Sequence, residues 1–203
     1  MKHLVIMAKQ PVAGRVKSRL AASIGVARAT GVYRTLMTTT MQTLAPDSRW
    51  KTWAAVAPDT AVSDYPWPTD VAVFPQGAGN LGTRMQTIFE TVPIGPAIII
   101  GTDIPFITET DIADAFRQLG SNDMVFGSAG DGGFWLVGAK RTPRIPKAFG
   151  NVRWSSEHTL ADTLANADAN GLKTGFAATR YDVDIKADYQ KWRHTQKAGY
   201  RFS

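Results

Sequence analysis

The chain has 203 residues, 44% of them hydrophobic, and a formal net charge of +6 from 23 basic and 17 acidic side chains. That length supports one sizeable core without demanding a second, so residues 1–203 are expected to form a single domain. Cysteine does not occur, which excludes a disulfide framework, a thiolate metal site and a cysteine nucleophile, and fits a cytoplasmic protein.

The N-terminus carries an apolar run of only about five residues before Lys9, too short for a signal sequence or a membrane span. It reads as a first strand over His3 to Ala8. In the loop from Lys9 to Leu20, Pro11 and Gly14 mark a shaped turn, and Arg15, Lys17 and Arg19 put three cations within five residues. One reading is a phosphate-binding loop at the carboxyl end of the strand, helped by the start of the next helix. The other is a solvated basic helix start, an arrangement that opposes the helix dipole.

From Val26 to Leu44 the positions Val32, Tyr33, Leu36, Met37, Met41 and Leu44 recur at helical steps, which predicts an amphipathic helix covering a sheet. A second strand follows over Thr52 to Ala57, then a loop from Pro58 to Pro68 and a third strand over Val71 to Pro75. The segment Gln76, Gly77, Ala78, Gly79 leads through Gly82 to Arg84, with a helical pattern at Leu81, Met85, Ile88 and Phe89. Its glycines permit close backbone approach to a base or ribose, and a plain loop accounts for them equally.

Ile98, Ile99 and Ile100 form a β-branched run suited to a strand buried on both faces. Asp103 follows at its carboxyl end, the edge where open α/β sheets bind ligands. Thr108 reads as the N-cap of a helix with Glu109 and Asp111 in its first turn. A fifth strand over Asp123 to Ala129 runs into Asp131, Gly132 and Gly133. Asp-Gly between apolar runs signals a hairpin, so Asp131 is either a turn residue or a carboxylate free for proton transfer, with the glycines admitting a sugar or phosphate.

Lys140 to Lys147 read as a basic, proline-containing surface loop. Trp154 is core or site wall, and Ser155 or Ser156 is expected to cap a helix ending at Gly171. A last strand over Thr174 to Tyr181 leads to Asp182 and Asp184, which alternation along an extended chain would aim at one face, and then to a helix ending in basic residues. His3, His158 and His194 are scattered, so metal ligation by histidine is not expected.

This alternation of strand and helix predicts an α/β fold, a mostly parallel sheet with helices on both faces. Charge is partitioned along the chain. Residues 1–46 carry seven cations and no acid, whereas residues 59–131 carry ten acids against Arg84 and Arg117. A nucleic-acid binder would show one basic face instead. A polyphosphate held between cations and a carboxylate-bound metal fits better.

Six blocks in order carry a resemblance. They are Ala8-Lys9 with Pro11, Gly14 and Val16 to Leu20; Gln76-Gly77 with Gly79, Leu81-Gly82 and Arg84-Met85; Gly101 to Asp103 with Pro105; Asp131 to Phe134; Trp154-Ser155; and Asp182 to Asp184. On these the chain resembles the GT-A nucleotide-diphospho-sugar transferase superfamily, a three-layer α/β/α fold with a mostly parallel mixed sheet. More narrowly it is similar to a bacterial family of unknown-function domains named for arsenosugar-type glycosyl transfer. Phospholactate and molybdenum-cofactor guanylyltransferases are related to it.

The resemblance implies a transferase in which Asp103 and Asp184 hold a catalytic Mg²⁺ or Mn²⁺. It also implies nucleotide and phosphate contacts from Lys9, Gly14, Arg15, Lys17, Arg19, Gln76, Gly77, Gly79 and Arg84. Asp131 is the candidate base, and Gly132, Gly133 and Trp154 the candidate acceptor or sugar contacts. The donor is expected to be a nucleotide-sugar, the alternative being a nucleoside triphosphate joined to a phosphorylated small molecule. The acceptor is an unidentified small molecule, and no nucleic acid is expected. Two departures stand out: Phe134 where the family has tyrosine, and Ile185-Lys186 where it has Thr-Pro.

Overall fold

The computed structural model describes residues 1–142 and 144–197, apart from the side chain of Lys197. Among the described residues seven strands form one sheet: β1 (His3–Lys9), β2 (Lys51–Ala57), β3 (Ala72–Pro75), β4 (Ala97–Ile100), β5 (Met124–Ala129), β6 (Phe134–Ala139) and β7 (Thr174–Arg180). Their order is β3-β2-β1-β4-β6-β5-β7. All neighbours are parallel except the two pairings of β6, which runs antiparallel between β4 and β5. The expected mostly parallel mixed sheet is therefore what the chain forms.

Alternation divides β1 and β4 between two cores, as a pleated strand requires. Leu4, Ile6, Ile98 and Ile100 pack with Tyr33, Met37, Met41, Ile112 and Phe116, residues of α2 (Val26–Leu44) and α5 (Glu109–Gln118). Val5 and Ile99 face the other way, against Met85, Ile88, Phe89 and Ala167 from α4 (Leu81–Thr91) and α6 (Thr159–Ala169). A third cluster joins Leu20 of α1 (Ser18–Ile24) and Leu36 of α2 to Trp192 of α7 (Lys186–Lys197). Helices thus cover both faces, giving three layers. No helix among the described residues is long and apolar enough to cross a membrane.

Four local expectations need correction. A separate helix α1 precedes α2, the two divided at Gly25, which takes φ 86°. The Pro58 to Pro68 loop contains the single-turn helix α3 (Ala61–Asp64). Helix α6 begins after His158 rather than at Ser155 or Ser156. The Ser156 hydroxyl instead donates to the Arg153 carbonyl and accepts the His158 N–H, closing a turn ahead of the helix. Finally, Arg141 lies in the supposed surface loop yet is only 5% exposed. The cap at Thr108 is found as expected, as a capping box with Asp111.

His3 is buried at the amino end of β1, where its Nδ1 accepts the Trp53 indole N–H at 3.2 Å. Burial lowers its pKa, assisted by the nearby Arg141 charge. The unfolded chain therefore takes up this proton first as pH falls, so the contribution is intact above the unfolded value of about 6.5 and is lost below it. Thermal melts are expected to show Tm falling between pH 7 and pH 5. The fall should shrink in His3→Phe, and an unchanged slope in that variant would rule out His3 as its source.

Candidate functional site

The chain lays down β2 and β3 on one side of β1, then returns to place β4 on the other. Beyond the carboxyl ends of β1 and β4 the connections diverge and leave a crevice, the position at which open α/β sheets take ligands. A cleft of about 800 Å³ opens there. Cations reach it from the β1–α1 connection and from α4. Acids reach it from the ends of β4, β5 and β7, so the two signs meet where β1 and β4 adjoin.

Lys17 stands at that meeting point. It caps α1 in the left-handed conformation, φ 51° and ψ 46°, unusual for a residue with a side chain. Its Nζ lies 3.0 Å from Asp103 Oδ1 and 3.7 Å from Asp184 Oδ1. Arg19 reaches the other Asp184 oxygen at 3.1 Å from an exposed position. The backbone brings the two acids together, because the Val183 N–H donates to the Asp103 carbonyl at 3.0 Å. Buried Val183 anchors that segment beside Leu20 and Trp192.

Tyr33 pins the cationic strand end to the acidic one. Its hydroxyl accepts the Lys9 N–H at 2.7 Å, donates to the Lys9 carbonyl at 3.1 Å, and receives the Thr102 hydroxyl at 3.3 Å. Burial raises its pKa to about 12, so it serves as a neutral clasp. Asp182 also lines the cleft. Its carboxyl is pushed above the usual range by burial, then by repulsion from Asp131 and Asp184, with Lys17 opposing. These acids therefore share one patch.

The residues singled out in the sequence separate into two groups. Lys9, Arg15, Lys17, Arg19, Gln76, Gly79, Arg84, Asp103, Asp131, Gly133 and Asp184 all line the cleft. Gly14, Gly77, Gly132 and Trp154 do not. Gly14 and Gly77 take positive φ to turn the chain. At Gly132, with φ 85°, a Cβ would lie 2.2 Å from the Glu157 carbonyl oxygen, so this glycine fits the β5–β6 turn against the entry to α6. Trp154 packs between Phe134 and Phe149 and over Gly82; it is wall, behind the surface.

Three of these side chains are partly committed elsewhere. The buried Gln76 amide donates to the Ala8 and Ala55 carbonyls at 3.0 and 2.9 Å. Its oxygen takes an Arg84 N–H at 3.4 Å, and Arg84 Nε holds the Gly79 carbonyl at 3.0 Å. Asp131 Oδ1 accepts the Gly133 N–H at 2.9 Å, which is turn chemistry, and the same residue borders the cleft. Tyr33, Ser155, Ser156, Thr159 and Asp182 line the cleft as well, and none was singled out for chemistry except Asp182 by its alternation with Asp184.

The donor set suits a hard divalent cation that draws much of its coordination from substrate. Among the described residues no group of three His, Cys, Asp or Glu side chains gathers into a cage. Two carboxylates completed by phosphate oxygens and water are the usual arrangement for Mg²⁺. Asp103 Oδ1 is buried without a hydrogen-bond partner, although the Lys17 ammonium sits at ion-pair distance, so a lone pair remains for a ligand.

The fold has solved counterparts. A protein from Desulfovibrio desulfuricans G20 described as a nucleotide-diphospho-sugar transferase superposes with TM-score 0.89 at 23% identity, over 98% of this chain and 89% of that one. A cytidylyltransferase from Leptospira borgpetersenii gives TM-score 0.63 at 12% identity, over 98% and 88%. The 4-diphosphocytidyl-2C-methyl-D-erythritol synthase of Anaerococcus prevotii gives 0.62 at 10%, over 97% and 98%. These likenesses bear out the nucleotide-diphospho-sugar transferase-like fold. No curated protein matches the sequence. The profile of DUF2064, described as an uncharacterized protein conserved in bacteria, matches residues 40–156. With more than half of its length inside that match, the chain belongs to the DUF2064 family.

Proposed function

We propose that this protein is a metal-dependent transferase acting on a nucleotide donor, and that it moves a glycosyl group from a nucleotide-diphospho-sugar to a small-molecule acceptor. The observation that carries the reading is the meeting of Lys17, Arg19, Asp103 and Asp184 at one end of a cleft large enough for a nucleotide. Asp103 and Asp184 would hold Mg²⁺ or Mn²⁺. When bound, such an ion supplies charge neutralisation for a leaving diphosphate. Lys9, Arg15, Lys17 and Arg19 neutralise the remaining phosphate oxygens, which matters most as negative charge builds on the departing group.

In this reading the acceptor oxygen bonds to the anomeric carbon, the bond from that carbon to the diphosphate oxygen breaks, and a nucleoside diphosphate leaves with the electron pair. Asp131 takes the acceptor's proton on Oδ2, its Oδ1 being engaged with Gly133. Gly79 and Arg84 border the nucleoside end and Gly133 the acceptor end. Gly14, Gly77, Gly132 and Trp154 contribute by shaping turns and wall. The absence of cysteine fits a cytoplasmic setting, and a single sheet holding all seven strands fits one domain.

A second reading is nucleotidyl transfer, in which an acceptor phosphate attacks the α-phosphorus of a nucleoside triphosphate and pyrophosphate leaves. The dense cations of the β1–α1 connection and the cytidylyltransferase counterparts favour it. Thermal melts with nucleotides and nucleotide-sugars, with and without Mn²⁺, test the shared reading. Ligand at about 100 times its Kd stabilises by about 2.7 kcal/mol, a rise of about 5–10 °C at this size. A metal-dependent rise with one nucleotide class is expected. No rise with any nucleotide would overturn it, and release of nucleoside diphosphate rather than pyrophosphate separates the two chemistries.

A further inference from the structure

Lys17 raises a question that phosphate binding alone does not answer. Its side chain is 3% exposed, and its ammonium lies between one oxygen of Asp103 and one of Asp184, the two carboxylates proposed to hold the metal. The contact is an ion pair without hydrogen-bond alignment, since Nζ has no hydrogen-bond partner. The position depends on a left-handed backbone at the head of α1, a conformation that costs free energy and persists where its surroundings over-determine it. The ammonium is thus set between the carboxylates by the fold.

We infer that Lys17 is a resident cation: it neutralises Asp103 and Asp184 in the unliganded protein and makes entry of a divalent ion depend on arrival of a polyphosphate. The inference rests on the proposed metal role of those two acids. Cations a few ångströms apart repel one another, so a bare divalent ion competes with the ammonium for the same oxygens. A polyphosphate tail reverses the balance. It offers the ammonium a new set of anionic oxygens and gives the incoming ion ligands that the protein lacks. Metal and nucleotide then bind as a coupled pair, and the coupling is reciprocal.

The mechanism predicts a gain on mutation, which structural damage does not produce. Binding of Mn²⁺ alone, followed by the EPR signal of the free ion, is expected to be at least about tenfold tighter in Lys17→Met than in wild type, within the usual range of such couplings. Lys17→Arg, which keeps a cation there, should stay weak. Stabilisation by MnCl₂ alone in thermal melts should be larger for Lys17→Met. In wild type, Mn²⁺ affinity should rise on saturation with whichever of UDP, CDP, GDP or ADP shifts the melt.

Mn²⁺ binding to Lys17→Met no tighter than to wild type would overturn the inference. If that variant does not fold, wild-type Mn²⁺ affinity that is the same with and without the nucleotide overturns it. The two levels separate cleanly. Wild-type protein that binds Mn²⁺ with nucleotide, alongside an unchanged Lys17→Met, removes the Lys17 role and leaves the transferase reading standing. Wild type that takes neither ion nor nucleotide removes both.

Discussion

Asp103→Asn is expected to abolish metal-dependent nucleotide binding while leaving a folded protein. Asparagine keeps the shape of the side chain, but it removes the anionic oxygen that faces the ammonium at 3.0 Å. A neutral amide is a poor ligand for a hard divalent ion beside a single remaining carboxylate. Transfer should fall by at least about 100-fold, the usual scale for deleting one element of electrostatic stabilisation at a leaving group. Mn²⁺ should no longer enhance the thermal stabilisation given by the nucleotide. Asp184→Asn should act in the same direction, and circular dichroism reports whether each variant folds. A full metal-dependent shift in Asp103→Asn would mean the ion, if bound, is held elsewhere.

The strand edge that carries Asp103 was legible because its cause is local. Three consecutive isoleucines followed by Gly101 have few options besides a buried strand and a turn, and Ile98 to Ile100 are buried as expected. Helix α2 matches its predicted limits at Val26 and Leu44, since its apolar stripe is long and Gly25 interrupts it cleanly. The same glycine also ends α1, whose short apolar pattern of Leu20, Ala21 and Ile24 is obscured by the basic residues of the connection.

What sequence could not supply was three-dimensional commitment. Gln76 looked available for a ligand, yet its amide is bound to two backbone carbonyls on neighbouring strands, partners set by strand order. Gly132 and Trp154 sat in blocks that pointed to the acceptor, and both are consumed by packing near the entry to α6. Tyr33 belongs in sequence to a helix stripe, because a hydroxyl that clasps two strand ends is indistinguishable there from any other bulky residue at that spacing. Charge partition along the chain points only to cations and carboxylates sharing a polyphosphate, not to the pairing of Lys17 with both acids. That the cation would lie between them follows from the left-handed cap, which no residue pattern announces.

Arg141→Met should cause a large loss of stability away from the cleft. The side chain is buried where the α4–β4 connection passes, and its guanidinium donates to three backbone carbonyls: Val92 at 2.6 Å, Pro93 at 2.9 Å and Gly95 at 3.1 Å. Burial lowers its pKa, the mark of a charge held by dipoles in place of water. Methionine fills much of the volume but leaves those carbonyls without donors. Hydrogen bonds to charged groups contribute roughly 1.5–3 kcal/mol each. Relief from burying the charge offsets part of that, so a net loss of about 3 kcal/mol is expected, or about 6–12 °C in Tm for a chain of this size. Lysine should rescue little, because one ammonium lacks the planar fork that spans the three acceptors. Arg153, whose side chain is 61% exposed in its pair with Asp162, provides the contrast, and Arg153→Ala should move Tm far less. Equal melting of Arg141→Met and wild type would mean that other groups or water satisfy the connection.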